Sequence, residues 1–152
     1  MTDTAIFKTL HHVCIVVADL DASVAYYESI GVGPWNAFGS LQPYLDKLES
    51  PDPEGFLRLR YRYANLDNVQ IQLCEPPPGN TPQRKFLDTH GEGVFHLGFT
   101  VPDCNAAEAS AQAVGLQVKM KSRLPDGSGF TYFETAQKGA GVTLEIRANR
   151  LS

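Results

Sequence analysis

Four polar side chains stand inside apolar runs of strand length: His12 in "HHVCIVV", His96 in "FHLGFTV", Gln72 in "VQIQLCE" and Glu145 in "VTLEIRA". A polar group buried without a partner costs about 1–3 kcal/mol, so each of these needs one. Taken singly, each has an ordinary explanation. A strand histidine is commonly a hydrogen-bonded core residue, and a strand glutamine commonly faces water. Taken together they are two imidazoles, an amide and a carboxylate, a mixed nitrogen and oxygen donor set that suits a divalent metal. Whether the four meet depends on the elements that carry them.

The chain repeats itself. With His12 placed over His96, an offset of 84, Val13 falls on Leu97, Cys14 on Gly98, Ile15 on Phe99 and Val17 on Val101. Asp19 then falls on Asp103, Ala22 on Ala106 and Gly31 on Gly115. Such a run marks two copies of one module. In a pseudo-two-fold fold, equivalent positions converge on one axis, so one donor from each of four equivalent strands can surround a single point.

Each module reads as strand, helix and three further strands. Residues 11–17 form a short apolar strand, and Asp19 or Asp21 offers an N-cap. "ASVAYYESIGV" carries Val24, Tyr27 and Ile30 at helical spacing before Gly31 stops it. In the second half Asp103 or Asn105 caps "AAEASAQAV", which ends at Gly115. "PWNAF", "FLRLRYRYA" and "VQIQLCE" are strand candidates in the first half, and "LQVKMKSR", "GFTYFET" and "GVTLEIRA" in the second. The expected organisation is one α+β domain over residues 1–152. Module one spans about 8–78, a Pro- and Gly-rich linker about 79–92, and module two about 93–150.

Bulk properties narrow the partners. The 152 residues carry a net charge of −4, which argues against nucleic acid or an anionic membrane. No run approaches the length of a membrane helix, and no signal-peptide pattern opens the sequence. Cys14, Cys74 and Cys104 are odd in number and lack CxxC spacing, which points to reduced thiols and a cytoplasmic setting.

"HHVCIVVADLDASVAYYESIGVGPW", "NLDNVQIQLCEPPPG", "GEGVFHLGFTVPD" and "GFTYFET…GAGVTLEI" resemble the vicinal oxygen chelate (glyoxalase/bleomycin resistance/dioxygenase) superfamily, and within it the methylmalonyl-CoA epimerase and glyoxalase group. The resemblance covers nearly the whole chain. It implies paired βαβββ modules with pseudo-two-fold symmetry, forming a curved mixed sheet around a metal cleft. It also implies His12, Gln72, His96 and Glu145 as ligands of one Co, Mn, Ni, Fe or Zn ion, with His11 outside the set. Four protein ligands in an octahedral shell leave two positions for substrate oxygens, where an enolate is stabilised as it forms. Glu145 is implied as one proton-transfer group. The nearest candidate for a second is Glu54, which stands about two residues from the family offset. A homodimer acting on a small-molecule substrate completes the expectation.

The cleft walls follow from strand alternation. If Asp67–Asn68 form a two-residue turn, Tyr63 lies opposite Gln72 and Tyr61 opposite Cys74, so both tyrosines line the cleft. A three-residue loop would place Arg62 there instead and turn Arg58, Arg60 and Arg62 inward. The tyrosines are the expectation adopted here. Trp35 and Tyr132 are further candidate wall residues, and "RLPDGSG" reads as a mobile loop able to cover the cleft. The leading functional reading is a metal-dependent epimerase or isomerase, with a glyoxalase I-type lyase as the alternative. An extradiol dioxygenase fits less well, since such enzymes keep three protein ligands to admit O₂. A metal-free drug-binding protein fits less well again, because all four donors are present.

Overall fold

The computed structural model describes residues 6–148. Its eight strands are β1 (Leu10–Val16), β2 (Asn36–Ala37), β3 (Arg60–Asn65), β4 (Gln70–Glu75), β5 (Gly93–Thr100), β6 (Val118–Arg123), β7 (Gly129–Phe133) and β8 (Thr143–Ala148). They form one sheet in the order β2-β3-β4-β1-β5-β8-β7-β6. The order is symmetric about its middle. β1 and β5 pair antiparallel at the centre, β4 runs parallel beside β1, and β8 runs parallel beside β5. Two βαβββ modules thus meet along their first strands, as the 84-residue repeat predicts.

Helices α1 (Leu20–Ser29) and α4 (Cys104–Ala113) occupy equivalent places in the two modules. Asp19 Oδ1 accepts from the Ala22 amide and Asp103 Oδ1 from the Ala106 amide, each at 3.0 Å. These bonds choose the first cap candidate of each module over Asp21 and Asn105. Gly31 and Gly115 follow the helices at φ +93° and +97°, the left-handed backbone that lets Val32 and Leu116 bond back to Tyr27 and Ala111. Under α1 lies a cluster of Val17, Leu20 and Leu73, and under α4 one of Val101, Cys104, Ala107, Phe133 and Ile146. Both helices therefore cover one face of the sheet.

The other face is a cleft, with its own cluster of Cys14, Val16, Phe56, Tyr61, Cys74, Phe95, Met120 and Tyr132. The sheet curls about it. Residue 49, in the connection between β2 and β3, makes a bridge with Lys121 of β6, so an extension of one edge pairs with the opposite edge.

Three local expectations change. "FLRLRYRYA" is not strand throughout: Pro53–Leu57 form a short helix, α2, and β3 starts at Arg60. Pro at the first helical turn and Asp52, whose carboxylate accepts from the Gly55 and Asn80 amides, favour the helix. The stretch expected to be a plain linker carries α3 (Pro82–His90), capped by Thr81. "PWNAF" contributes two strand residues. Among the described residues, no helix is long and apolar enough to cross a membrane.

Candidate functional site

β1, β5 and β8 bring His12, His96 and Glu145 to one place in the cleft, with ligand atoms all within 4.8 Å of one another and all three residues buried. The sheet register explains why. Cys14 pairs with His96 across β1 and β5, and Gly98 lies between His12 on one side and Glu145 on the other. His12 Nε2 is 2.9 Å from His96 Nε2 and 3.1 Å from Glu145 Oε1, and His96 Nε2 is 3.8 Å from Glu145 Oε2. Ligands bound at about 2.0–2.2 Å and at right angles to one another stand about 2.8–3.1 Å apart, which the first two separations match.

The centre depends on a missing side chain. A Cβ on Gly98 would overlap Cε1 and Nε2 of His12 and stand 2.6 Å from its Nδ1. The His12 ring lies flat on the Gly98 backbone, and glycine is the residue that admits it.

The electrostatics suit a cation. Burial pushes the His96 imidazole down to about 3, so it is neutral and ready to ligate at ordinary pH. Burial raises the Glu145 carboxyl, but His12 and His96 outweigh that and hold it below the usual range. Glu145 Oε1 is buried and makes no hydrogen bond among the described residues. A buried carboxylate oxygen without a donor beside two imidazoles is what a divalent metal satisfies, so the residues fit the ion.

The metal-free protein should accordingly lose stability with acid. The His96 reference value is 6.5 and its folded value about 3. Between these the unfolded chain binds a proton that the folded chain refuses, so stability rises with pH and falls as pH drops through that window. Thermal melts of chelated protein should show Tm falling from about pH 7 to about pH 4. A His96→Asn variant should flatten the slope, and an equally steep slope in that variant would remove His96 as its cause.

Gln72 enters the same cavity from β4. Its Nε2 donates to Gln70 Oε1 at 2.7 Å, so the amide oxygen is the atom that could ligate a metal. The Asp67–Asn68 turn is two residues long, closed by Leu66 N to Val69 O, and the register pairs Tyr63 with Gln72 and Tyr61 with Cys74. Both tyrosines line the cavity, as does Tyr132 opposite Glu145. The arginines face elsewhere: Arg60 reaches Glu75 and Asp21, Arg62 bonds the Tyr61 carbonyl, and Arg58 is exposed at the end of α2.

Two expected site residues are placed differently. Trp35 does not wall the cleft. Asn36 pairs with Tyr63 on the cleft face, so alternation sends Trp35 to the helix-covered face, where it packs on Tyr27 and donates to the Val32 carbonyl. Phe38 takes its place, stacked on Tyr61 at 4.6 Å. Glu54 sits exposed on α2 and does not line the cavity, because the chain there turns as a helix before the strand begins. "RLPDGSG" is a tight β6–β7 turn held by Leu124 N to Ser128 O, and Leu124 and Ser128 line the cavity from it.

The cavity measures about 550 Å³. Phe38, Tyr44, Phe56 and Phe130 give it aromatic walls. From α3, fully buried Gln83 donates to Tyr61 Oη at 3.1 Å and Tyr132 Oη at 3.4 Å, tying the two modules' tyrosines together beneath it. The thiols are inert: burial holds Cys14 well above its ordinary range and pushes Cys74 up to about 12.

Comparison with known proteins agrees with this geometry. The chain is 27% identical over 110 residues to the ethylmalonyl-CoA/methylmalonyl-CoA epimerase of Cereibacter sphaeroides, an alignment covering 72% of each chain. The crystal structure of methylmalonyl-CoA epimerase from Mycobacterium tuberculosis matches with a TM-score of 0.69 at 25% identity, covering 97% of this chain and 92% of that one. A Streptomyces coelicolor methylmalonyl-CoA epimerase variant, in complex with 2-nitronate-propionyl-CoA, shares the fold with a TM-score of 0.68 at 24% identity over 95% of this chain and 99% of its own. A family profile matches residues 11–133, and with it the paired modules and the cluster between them place the chain in the Glyoxalase/Bleomycin resistance protein/Dioxygenase superfamily.

Proposed function

We propose that the chain is a divalent-metal-dependent epimerase that moves the proton beside the carbonyl of an acyl-CoA thioester of the methylmalonyl type. The observation that carries this reading is Glu145: a buried carboxylate with an unpartnered oxygen, set against two imidazoles inside an aromatic-walled cavity. The epimerases among its relatives favour this substrate over a glutathione hemithioacetal.

His12, Gln72, His96 and Glu145 would hold the ion, and mixed imidazole and oxygen donors suit Co, Mn, Ni, Fe or Zn. When bound, such an ion polarises the substrate carbonyl and so acidifies the neighbouring C–H. The protein's own residues do the rest. Phe38, Phe56 and Phe130 keep water from the reacting carbon. Glu145 takes up the proton at a carboxylate oxygen from one face, and in the reverse reaction delivers it to that same face. It is the one carboxylate lining the cavity among the described residues, so return to the opposite face falls to a different kind of group. A homodimer belongs to the same proposal, supported by exposed Tyr26 on α1, Ile30 just after it and the repeat-equivalent Val114 after α4.

The test is solvent deuterium uptake into methylmalonyl-CoA, followed by mass spectrometry. Uptake is expected with metal-loaded protein, lost on chelation and restored by Co²⁺. No uptake with the metal in place would retire the CoA-thioester reading.

A further inference from the structure

His96 lacks the hydrogen bond that usually fixes a ligating imidazole. Such a ring ordinarily donates its second N–H to a carboxylate or a carbonyl, which sets its rotation about the Cβ–Cγ bond. His96 Nε2 faces His12 and Glu145, yet its Nδ1 is buried and makes no hydrogen bond among the described residues. Packing must therefore orient the ring. Phe95, His12 and Tyr132 lie against it, with centroids at 5.3, 5.0 and 4.9 Å. Phe95 is its neighbour in the chain and His12 is a fellow donor. Tyr132, tilted at 50° and carried by β7, is the support from outside the donor set.

Tyr132 is itself tethered. Gln83 Nε2 has two N–H groups and two acceptors, Tyr61 Oη at 3.1 Å and Tyr132 Oη at 3.4 Å. Its Oε1, in contrast, is buried and makes no hydrogen bond among the described residues. A wholly buried amide with an unsatisfied oxygen costs stability. An apolar side chain of that length would avoid the cost, so the amide is better explained by the hydroxyls it holds. Gln83 does not line the cavity, so any effect on the site passes through those two tyrosines. We propose that Gln83 is a positioning residue for the metal centre: it holds Tyr132, whose ring sets the rotation of His96 and aims Nε2 at the ion.

This deepens the metal-dependent reading and rests on it, so wild type is first titrated with Co²⁺, which tests that reading separately. Gln83→Met, Tyr132→Phe and the double variant are then compared by chelator competition and by the visible absorption of bound Co²⁺. Circular dichroism checks folding. Gln83→Met keeps the length of the side chain and removes both N–H groups, while Tyr132→Phe keeps the ring and removes the hydroxyl. Each should weaken Co²⁺ binding about tenfold, the lower end of what an outer-shell partner supplies, and change the cobalt spectrum. The double variant should bind no more weakly than Gln83→Met, because both substitutions cut one tether. Tyr132→Phe carries the test if Gln83→Met does not fold. Wild-type affinity and spectrum in the folded variants, whatever their melting temperature, would make Gln83 a structural residue and overturn the proposal. Additive losses in the double variant would overturn it too, since Gln83 would then act by another route. A wild type that takes up no Co²⁺ would sink the metal reading itself.

Discussion

Replacing Gly98 by alanine is expected to strip the site of its metal while the chain still folds. Alanine is tolerated in a strand, and the added Cβ meets the His12 ring, with Cε1 and Nε2 overlapped, rather than a neighbouring backbone. The ring is the movable partner, so it must leave the position where its Nε2 stands 2.9 Å from His96 and 3.1 Å from Glu145. Losing an outer-shell support of a ligand typically costs 10–100-fold in metal affinity, and displacing the ligand itself should cost about 100-fold or more. Metal stoichiometry by mass spectrometry and affinity by chelator competition read this directly, with circular dichroism as the check on folding. A double-mutant comparison identifies the route. If Gly98→Ala acts through His12, adding it to His12→Ala should change metal affinity little further, since both remove the same ligand. Wild-type affinity in Gly98→Ala would mean that His12 is not a ligand.

How far the site could be read from sequence follows the same physics. The repeat was legible because His12 and His96, Asp19 and Asp103, and Gly31 and Gly115 keep one spacing, and the structure makes it a symmetric sheet. The tyrosine face was legible because Asp67–Asn68 fix a turn length, and turn length fixes register. Gly98 left a signal, a glycine inside an apolar strand where the first repeat has Cys14, and such a glycine marks close approach by another group. Trp35 was misplaced because a two-residue strand offers no pattern from which to choose a face. Glu54 was misplaced because the apolar run that follows it hides a helix start. Gln83 was out of reach in a stretch read as linker, although Thr81–Pro82 is an N-cap followed by proline at the first helical position. His11 should alternate away from the cleft, but a register irregularity between Leu10 and His12 brings it to the cavity wall.

Glu145→Gln is expected to give a protein that is less stable than wild type without metal and exchanges protons far more slowly. Glutamine matches glutamate in shape, so the strand packing between β5 and β7 is undisturbed. What changes is charge. Wild type buries a carboxylate that His12 and His96 hold ionised below its usual range, and removing one partner of a buried pair tends to destabilise. The melting temperature of the metal-free variant should therefore fall below that of wild type, and the rise on adding metal should shrink. Activity falls as well. Loss of a proton-transfer group costs about 10²–10⁴-fold, and loss of a ligand adds to this below metal saturation. The two roles separate on titration with metal. If Glu145 only holds the ion, deuterium exchange returns to wild-type rates once the variant is saturated. If it also carries the proton, exchange stays low at saturation. A metal-free variant that melts at or above wild type would show instead that the buried carboxylate costs the fold stability and that metal binding alone accounts for it.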